Sequence, residues 1–529
     1  MDKILLSDEN LRKPLKPAYY GTAGYRSKDS DQNNIMCRAS LIAYLRSTTL
    51  AGKVIGVMIT ASHNPVEHNG IKIIDHTGSM LDEKWEQHSD VLVNCEDKDL
   101  PRVMRKILMS FSNQTELGEG VRGHVVLGRD TRESGVSICR NIASVLGKLN
   151  CTVDDYGVVT TPELHFLVRR SNLEDKVVEK EEYTASLVSN FRKLVSNTGL
   201  NFKMAVDTAN GVAGIELEDL EKRLGGDLRC RVLNDSNGIL NLDCGADFVK
   251  TNNRAPKLEA LESAEFSVST HEICASFDGD ADRLMFFTGP KSTRIFDGDF
   301  QAVFLAFFIK QHLDEIDSKM SMGVVLSHYS NDAAIGLLRS NSFNVVLAQT
   351  GVKNFVNAAR AFDVGVYFEP NGHGSVYFSQ AFFDEVAEGS SKYHEILRAL
   401  SGLFDPCVGD AVANFLVFKG IMASANDLSR FKENPSRLHT VVIKDKNSIK
   451  VDLNNRVLEP KGLQEMIDAE MANFKGRSFV RPSGTENVVR IYAECSDSDS
   501  TDLLCLNVAT HVYTMCEGVG NLPEIDYTK

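Results

Sequence analysis

The feature that most constrains this chain is a recurring local pattern. A short, unbroken apolar run ends in a loop of glycine and polar residues. Val54–Ile59 runs into TASHNP, residues 125–127 into GRDTRESG and residues 204–206 into DTANG. Ile273–Phe277 runs into DGDADR, and Val364–Phe368 into EPNGHGS. Continuous apolar runs suit strands covered by helices on both faces, because a half-exposed strand would alternate. Helical patterns between the runs, at residues 34–50 and 300–314, make the alternation strand–helix–strand. That is α/β architecture, whose ligand sites lie at the carboxyl ends of the strands. The end of the chain differs. Residues 478–480 and 488–495 read as two strands flanking RPSGTE, and Leu504, Val508, Val512 and Met515 share one helical face. A smaller C-terminal α+β domain is expected there.

With 529 residues, 43% hydrophobic and 25% charged, the chain is long enough for three or four globular domains. Breaks are expected after a charged stretch at 170–182, around 293–298 and near ENPS at 432–437. They divide the chain into segments 1–182, 183–297, 298–434 and 435–529. A net charge of −14 provides no electrostatic footprint for nucleic acid or an anionic membrane. The longest apolar run, residues 302–309, is far short of a membrane span, and the N-terminal MDKILLSDENLRKP has no apolar h-region. The 11 cysteines are scattered without a C-x-x-C pair, which suits reduced thiols in the cytoplasm. No obligate protein partner is evident.

Four loops carry chemistry. Asp278, Asp280 and Asp282 alternate after a strand, offering hard oxygen ligands for Mg²⁺, and Arg283 follows as a fixed cation suited to a phosphoryl group. The spacing is not that of an EF-hand. Ser62, followed by His63 in TASHNP, offers a hydroxyl nucleophile, and Lys72 in NGIK a nearby cation. No G-x-S-x-G elbow surrounds Ser62, so acyl transfer has little support. Arg481, Pro482, Ser483, Gly484 and Thr485, with Arg490 on the next strand, form a candidate phosphate cradle. Glu369, Pro370, Asn371 and Gly372 form a candidate polyol-reading loop, and His373 beside them a candidate proton carrier. Each loop alone also reads as an ordinary polar turn. Together they are the parts of a phosphoryl transferase acting on a sugar phosphate. No Walker A motif is present, so the donor can be the protein itself, through phosphorylated Ser62.

In this combination and order the chain resembles the α-D-phosphohexomutase superfamily, and within it the branch of phosphoacetylglucosamine mutases. The resemblance covers nearly the whole chain: YGTAGYR at 20–26, TASHNP, GRDTR at 128–132, DGDADR, TGVK at 350–353, EPNGHGS and RPSGTE. It implies three α/β mixed-sheet domains and a smaller C-terminal α+β domain around a central cleft. It implies an isomerase that interconverts N-acetylglucosamine 6-phosphate and 1-phosphate, feeding UDP-N-acetylglucosamine synthesis. Ser62 would carry the phosphoryl group. One Mg²⁺ per chain would sit on Asp278, Asp280, Asp282 and a phosphate oxygen of Ser62. Arg283, Lys72 and either Arg26 or Arg129 would add positive charge. N-acetylglucosamine 1,6-bisphosphate would be the intermediate and activator, turning end for end in the site. His373 is the first candidate for general base and His63 the second. The branch usually reads Glu-Ala-Asn-Gly-His-Gly-Thr where this chain has Pro370 and Ser375, which bears on sugar preference. The rival readings are a glucose or mannose phosphomutase, a metal-dependent phosphatase and a catalytically silent sugar-phosphate-binding protein.

Overall fold

The strand Val54–Ile59 shows why the apolar runs are unbroken. All six of its residues are buried. Ile55, Val57 and Ile59 enter one core with the helices Gln32–Thr49 and Glu133–Lys148, whereas Val54 and Met58 enter another with Leu164 and Val168 of the helix Thr161–Glu174. Each face of the strand therefore meets a helix, and period-2 alternation has nothing to encode. The structure is a computed structural model. It describes residues 2–524 apart from 29, 113–116, 118–119, 197–203, 236, 257–261, 264–265, 268–272, 289–292, 423–431, 453 and 484–485.

The chain forms two compact units, the first of residues 1–323 and 351–426 and the second of residues 324–350 and 427–529. The first unit opens with a mixed sheet of β1 (Tyr25–Ser27), β2 (Val54–Ile59), β3 (Asn69–Ile74), β4 (Gly123–Arg129) and β5 (Cys151–Val158), in the order β1-β3-β2-β4-β5. β2, β4 and β5 are parallel, and β3 is antiparallel to β2. TASHNP leaves the carboxyl end of β2, and Lys72 sits on β3 opposite Met58.

A second mixed sheet contains β6 (Met204–Asp207) and β7 (Cys230–Leu233). A short pair, β8 (Glu262–Ser263) with β9 (Phe266–Ser267), precedes its other strands, β10 (Ile273–Phe277), β11 (Leu284–Thr288) and β12 (Ile295–Phe296). The order is β12-β11-β10-β6-β7. β10 and β11 are antiparallel with Phe277 opposite Leu284, so DGDADR is the loop of a hairpin. The second unit takes most of β13 (Met322–Ser327), which neighbours β14 (Asn344–Ala348). In the first unit, β15 (Val364–Phe368) and β16 (Gly374–Phe378) form the hairpin that carries EPNGHG.

The rest of the second unit matches the expected α+β pattern. It contains β17 (Ser436–Val442), β18 (Lys450–Val451), β19 (Val457–Glu459), β20 (Arg477–Pro482) and β21 (Val488–Glu494). Its three-stranded sheet has the order β17-β21-β20 and packs on the helices Leu463–Phe474 and Ser498–Met515 through Leu504, Val508 and Val512. The strands expected at 54–59, 273–277 and 364–368 have the expected ends. The segment boundary expected at 182/183 falls inside the helix Glu181–Val195. Among the described residues, no helix is long and apolar enough to cross a membrane.

Candidate active site

Ser62 stands in the turn that leaves β2, with φ +49. A non-glycine residue in this left-handed region costs about 1–2 kcal/mol and persists where surrounding contacts over-determine it. The contacts are present. The Ser62 N–H donates to Thr60 Oγ1 at 2.9 Å. Arg132 Nη2 donates to the carbonyls of Ser62 and Asn64 at 3.3 and 2.6 Å, and Asn241 Nδ2 to the same two at 2.8 and 2.9 Å. Arg132 is itself held by Asp130, which also accepts from Thr60 Oγ1. The side chain of Ser62 points at charge. Arg26 Nη2 donates to Ser62 Oγ at 3.2 Å, and Ser62 Oγ donates to Asp280 Oδ2 at 3.1 Å.

The carboxylates divide their oxygens. Asp278 Oδ1 accepts the N–H groups of Asp282 and Arg283 at 3.0 and 3.1 Å, which closes the hairpin loop. Asp280 Oδ2 accepts from Lys72 Nζ at 2.8 Å, Asp282 Oδ2 from the same Nζ at 3.0 Å. The other oxygen of each (Asp278 Oδ2, Asp280 Oδ1, Asp282 Oδ1) is buried with no hydrogen-bond partner among the described residues. One ligand oxygen from each aspartate lies within 4.8 Å of the others. Orphaned buried carboxylate oxygens are costly unless a cation takes them, so the set fits a hard divalent ion.

The electrostatics agree. Burial, with the charges of Asp282 and Asp280, holds the Asp278 carboxyl well above the usual range. Asp280 and Asp282 pay the same burial penalty, but contacts led by Lys72 hold both below it. Lys72 is only 2% exposed, yet the two aspartates outweigh its burial and keep it charged. Arg283 Nε lies 3.9 Å from Asp278 Oδ2 and 3.8 Å from Asp282 Oδ1.

Both candidate bases lie in the first unit, and His373 has a partner at each ring nitrogen. Its Nδ1 donates to the Asp282 carbonyl at 2.8 Å, and its Nε2 accepts the Gly409 N–H at 3.3 Å. With both ring nitrogens occupied, it ties the sugar loop to the metal loop. His63 keeps Nδ1 without a hydrogen-bond partner among the described residues, and burial, then Arg283 and Arg26, lowers its pKa to about 3, so it is neutral. Of the two candidate cations, Arg26 reaches Ser62, whereas Arg129 donates to the Asp130 carbonyl at 3.3 Å.

The loop after β15 is a four-residue turn closed by the Gly372 N–H on the Glu369 carbonyl at 2.9 Å. Pro370 occupies its second position, where proline's fixed φ is favoured and its missing N–H is not needed. Gly372 has φ +86, and a Cβ there would lie 2.1 Å from the Leu284 carbonyl oxygen, which excludes any side chain. The Glu369 carboxylate accepts from the Gly351 N–H at 3.1 Å and from Asn371 Nδ2 at 3.2 Å. Ser375 keeps its hydroxyl bonded to the Asp405 carbonyl at 3.0 Å.

In the second unit, Arg481 on β20 pairs directly with Arg490 on β21. Arg481 donates to Thr350 Oγ1. Burial pushes the Tyr329 hydroxyl up while Arg481 and Arg490 oppose it, so both guanidiniums lie near this ring. A cavity of about 380 Å³ beside Arg481 and Pro482 is lined by Tyr329, Gln349, Thr350 and Asn455. The Ser483 N–H donates to the Val488 carbonyl at 2.9 Å, and Ser483 Oγ accepts from the Glu486 N–H at 3.2 Å. Gly484 and Thr485 lie outside the described residues.

Sequence reasoning missed Arg132, Asn241 and Thr161. Arg132 lies within GRDTR, so its motif was visible but not its role. Asn241 and Thr161 carry no spacing signal, because they act through residues 179 and 119 positions away.

The chain matches the descriptions of four known domain families. Residues 36–98 and 94–179 match the phosphoglucomutase/phosphomannomutase alpha/beta/alpha domain I, and 449–511 the C-terminal domain of the same group. Residues 175–285 and 297–426 match domains II and III of phosphoacetylglucosamine mutase AMG1. A curated protein of Encephalitozoon cuniculi, named a probable phosphoacetylglucosamine mutase, is 69% identical over 528 residues, covering 100% of both chains. The solved structure of Aspergillus fumigatus N-acetylphosphoglucosamine mutase with GlcNAc-6P and magnesium is 34% identical, has a TM-score of 0.89 and covers 97% of this chain and 99% of its own. A structure of a serine-to-alanine form of the Aspergillus enzyme with glucose 1,6-bisphosphate is also 34% identical, with a TM-score of 0.88, and covers 97% and 98%.

Proposed function

This chain belongs to the phosphoacetylglucosamine mutase family of the α-D-phosphohexomutase superfamily, and we propose that it interconverts N-acetylglucosamine 6-phosphate and N-acetylglucosamine 1-phosphate. The observation that carries the proposal is the position of Ser62 Oγ, 3.1 Å from a buried aspartate whose partner carboxylates each keep one oxygen without a hydrogen bond among the described residues. Asp278, Asp280, Asp282 and a phosphate oxygen on Ser62 would hold one Mg²⁺. When bound, this ion withdraws charge from the transferring group.

The chain's own residues do the rest. Arg26, Lys72 and Arg283 surround Ser62 and the carboxylates with fixed positive charge, which stabilises a phosphoryl group without reorganisation. In the first transfer the bond from phosphorus to Ser62 Oγ breaks and a bond to the free sugar hydroxyl forms. The hydroxyl proton leaves to a base, for which His373 and His63 are the candidates. A weak base suffices where the transition state is loose and positioning dominates. The product is the 1,6-bisphosphate. After the sugar turns, Ser62 Oγ takes the other phosphate and the isomer leaves. Glu369 and Asn371 would read sugar hydroxyls in both orientations. Arg481, Pro482, Ser483, Gly484, Thr485 and Arg490 would hold the phosphate that is not reacting.

Two further readings belong to this proposal. The four family domains would follow the segments 1–182, 183–297, 298–434 and 435–529, with the first break moved into the loop before Glu181. The enzyme would work in the cytoplasm on a small-molecule sugar phosphate, a reading supported by cysteines scattered without a C-x-x-C pair.

The test is phosphorus NMR of the purified protein with N-acetylglucosamine 6-phosphate, Mg²⁺ and a trace of the bisphosphate. Appearance of the 1-phosphate without free phosphate supports the mutase. Release of inorganic phosphate alone would make the protein a phosphatase. Faster conversion of glucose or mannose phosphates would overturn the acetylated substrate, and chelation of Mg²⁺ must stop the reaction.

A further inference from the structure

The metal loop is gripped from outside by three helices. The carbonyls of Gly279, Asp280 and Ala281 accept the N–H groups of Val212, Thr161 and Ala411 at 3.1, 3.0 and 3.2 Å. Val212 caps the helix Ala213–Leu224, Thr161 opens Thr161–Glu174, and Ala411 opens Ala411–Met422. The first N–H groups of a helix have no partner within it, and its N-terminus favours negative charge. Successive carbonyls between the aspartates thus use the free donors of three helices. At one contact a side chain joins the backbone: Thr161 Oγ1 donates to Asp280 Oδ2 at 2.6 Å. Thr161 is 1% exposed. Its backbone is set by a reciprocal cap, in which Thr160 Oγ1 accepts from the Glu163 N–H and Glu163 accepts from the Thr160 N–H.

Asp280 Oδ2 accepts from three donors: Ser62 Oγ, Lys72 Nζ and Thr161 Oγ1. They do not survive the reaction equally. When Ser62 is esterified to phosphate, Oγ has no proton to donate. Lys72 is shared with Asp282 and sits on a flexible stem. Thr161, stiff at χ1 and fixed at its helix start, remains. We propose that Thr161 is a positioning residue that keeps Asp280 Oδ1 turned toward the metal position, and that its contribution is greatest in the phosphorylated enzyme. The proposal rests on the reading of the three aspartates as the Mg²⁺ site.

The test is direct Mn²⁺ binding, read by electron paramagnetic resonance of free Mn²⁺. The full-length protein is titrated in its phosphorylated and unphosphorylated forms, distinguished by intact mass. Thr161→Val is expected to weaken binding about 10-fold or more, the range seen for residues that orient metal ligands. Thr161→Ser, which keeps the hydroxyl, should stay within about twofold of the natural protein. The loss in Thr161→Val should be larger in the phosphorylated form, and saturating metal should restore kcat. Thr161→Ala repeats the measurement if valine disturbs the fold, judged by the unfolding midpoint in chelator. Natural affinity in both hydroxyl-free variants, or equal losses in the serine and valine variants, would overturn the proposal. Equal losses in the two phosphorylation states would overturn its dependence on the reaction. If the natural protein binds no Mn²⁺, the metal reading itself fails and takes the proposal with it.

Discussion

Replacing Lys72 with methionine separates the two kinds of cation that the carboxylates demand. Lys72 Nζ donates at 2.8 Å to Asp280 and 3.0 Å to Asp282, all three side chains being nearly or fully buried. Two charge-assisted bonds at about 1.5–3 kcal/mol each give a loss of about 3–6 kcal/mol. Breaking a buried ion pair from one side costs about 3–5 kcal/mol, so about 4 kcal/mol is a consistent figure. The first unit has about 400 residues. At about 2.1 cal/mol/K per residue, ~4 kcal/mol moves its thermal midpoint by about 5 °C. Lys72→Met should therefore melt about 5 °C below the natural protein in chelator. In millimolar Mg²⁺ the gap should narrow, because the divalent ion supplies charge that the lysine no longer does. Phosphoryl transfer should fall in both conditions. Scanning calorimetry with and without Mg²⁺ measures the two gaps. A chelator gap under about 1 °C, or a gap that does not narrow with Mg²⁺, would refute the reasoning.

Other perturbations address separate parts of the site. Ser62→Ala should fold normally, gain no phosphate on incubation with a hexose 1,6-bisphosphate and lose turnover; intact mass and the NMR assay read both. Arg481→Ala should lower kcat/KM about 10- to 150-fold, mainly through KM, because one charge-assisted phosphate contact is worth about 1.5–3 kcal/mol. Steady-state kinetics measures it, and unchanged values would remove Arg481 from the cradle. Asp410 is a pH probe. Burial raises its carboxyl to about 7, although the Ala413 N–H and the Tyr183 hydroxyl donate to it. The folded protein then holds a proton that the unfolded chain has lost between about pH 4 and 7, so this group's contribution to stability falls as pH rises through that window. Asp410→Asn keeps the helix cap and should flatten the fall in midpoint from about pH 4.5 to 7.5; equal slopes would dismiss the group.

The strands were legible because burial on both faces writes a continuous apolar run, as in Val54–Ile59 and Ile273–Phe277. The metal loop was legible because three carboxylates at alternate positions repel unless a cation joins them. Lys72 was legible as a nearby cation because β3 follows β2 and pairs with it. The partners of His373 were not legible for a definite reason. A histidine in a glycine-rich loop looks free until its partners are known, and these come from Asp282 and Gly409, 91 and 36 positions away. Arg132, Asn241 and Thr161 were illegible in role because each acts on a backbone or carboxylate that only tertiary folding brings near. Local pattern encodes which face of a strand is buried; it does not encode which carbonyl a buried side chain will hold.

The two halves of the chemistry in the first unit are built to different standards, and the proposed reaction explains why. The serine turn is strained at Ser62 and held by Thr60, Arg132 and Asn241, while the metal loop is held by three helix starts and by Lys72. In the proposed reaction phosphoryl transfer happens twice at this serine with the same geometry, which suits contacts that are buried and over-determined. In the same proposal the sugar would arrive in two orientations. Glu369 and Asn371 are only half-buried, on a turn whose Pro370 and Gly372 fix the backbone without filling the space in front of it. A carboxylate and an amide there can exchange partners as the bisphosphate turns, because each accepts or donates without demanding one hydroxyl pattern. A bulky apolar contact at this loop would favour one orientation and slow the return transfer. The tie from His373 Nδ1 to the Asp282 carbonyl keeps the tolerant loop in register with the rigid one.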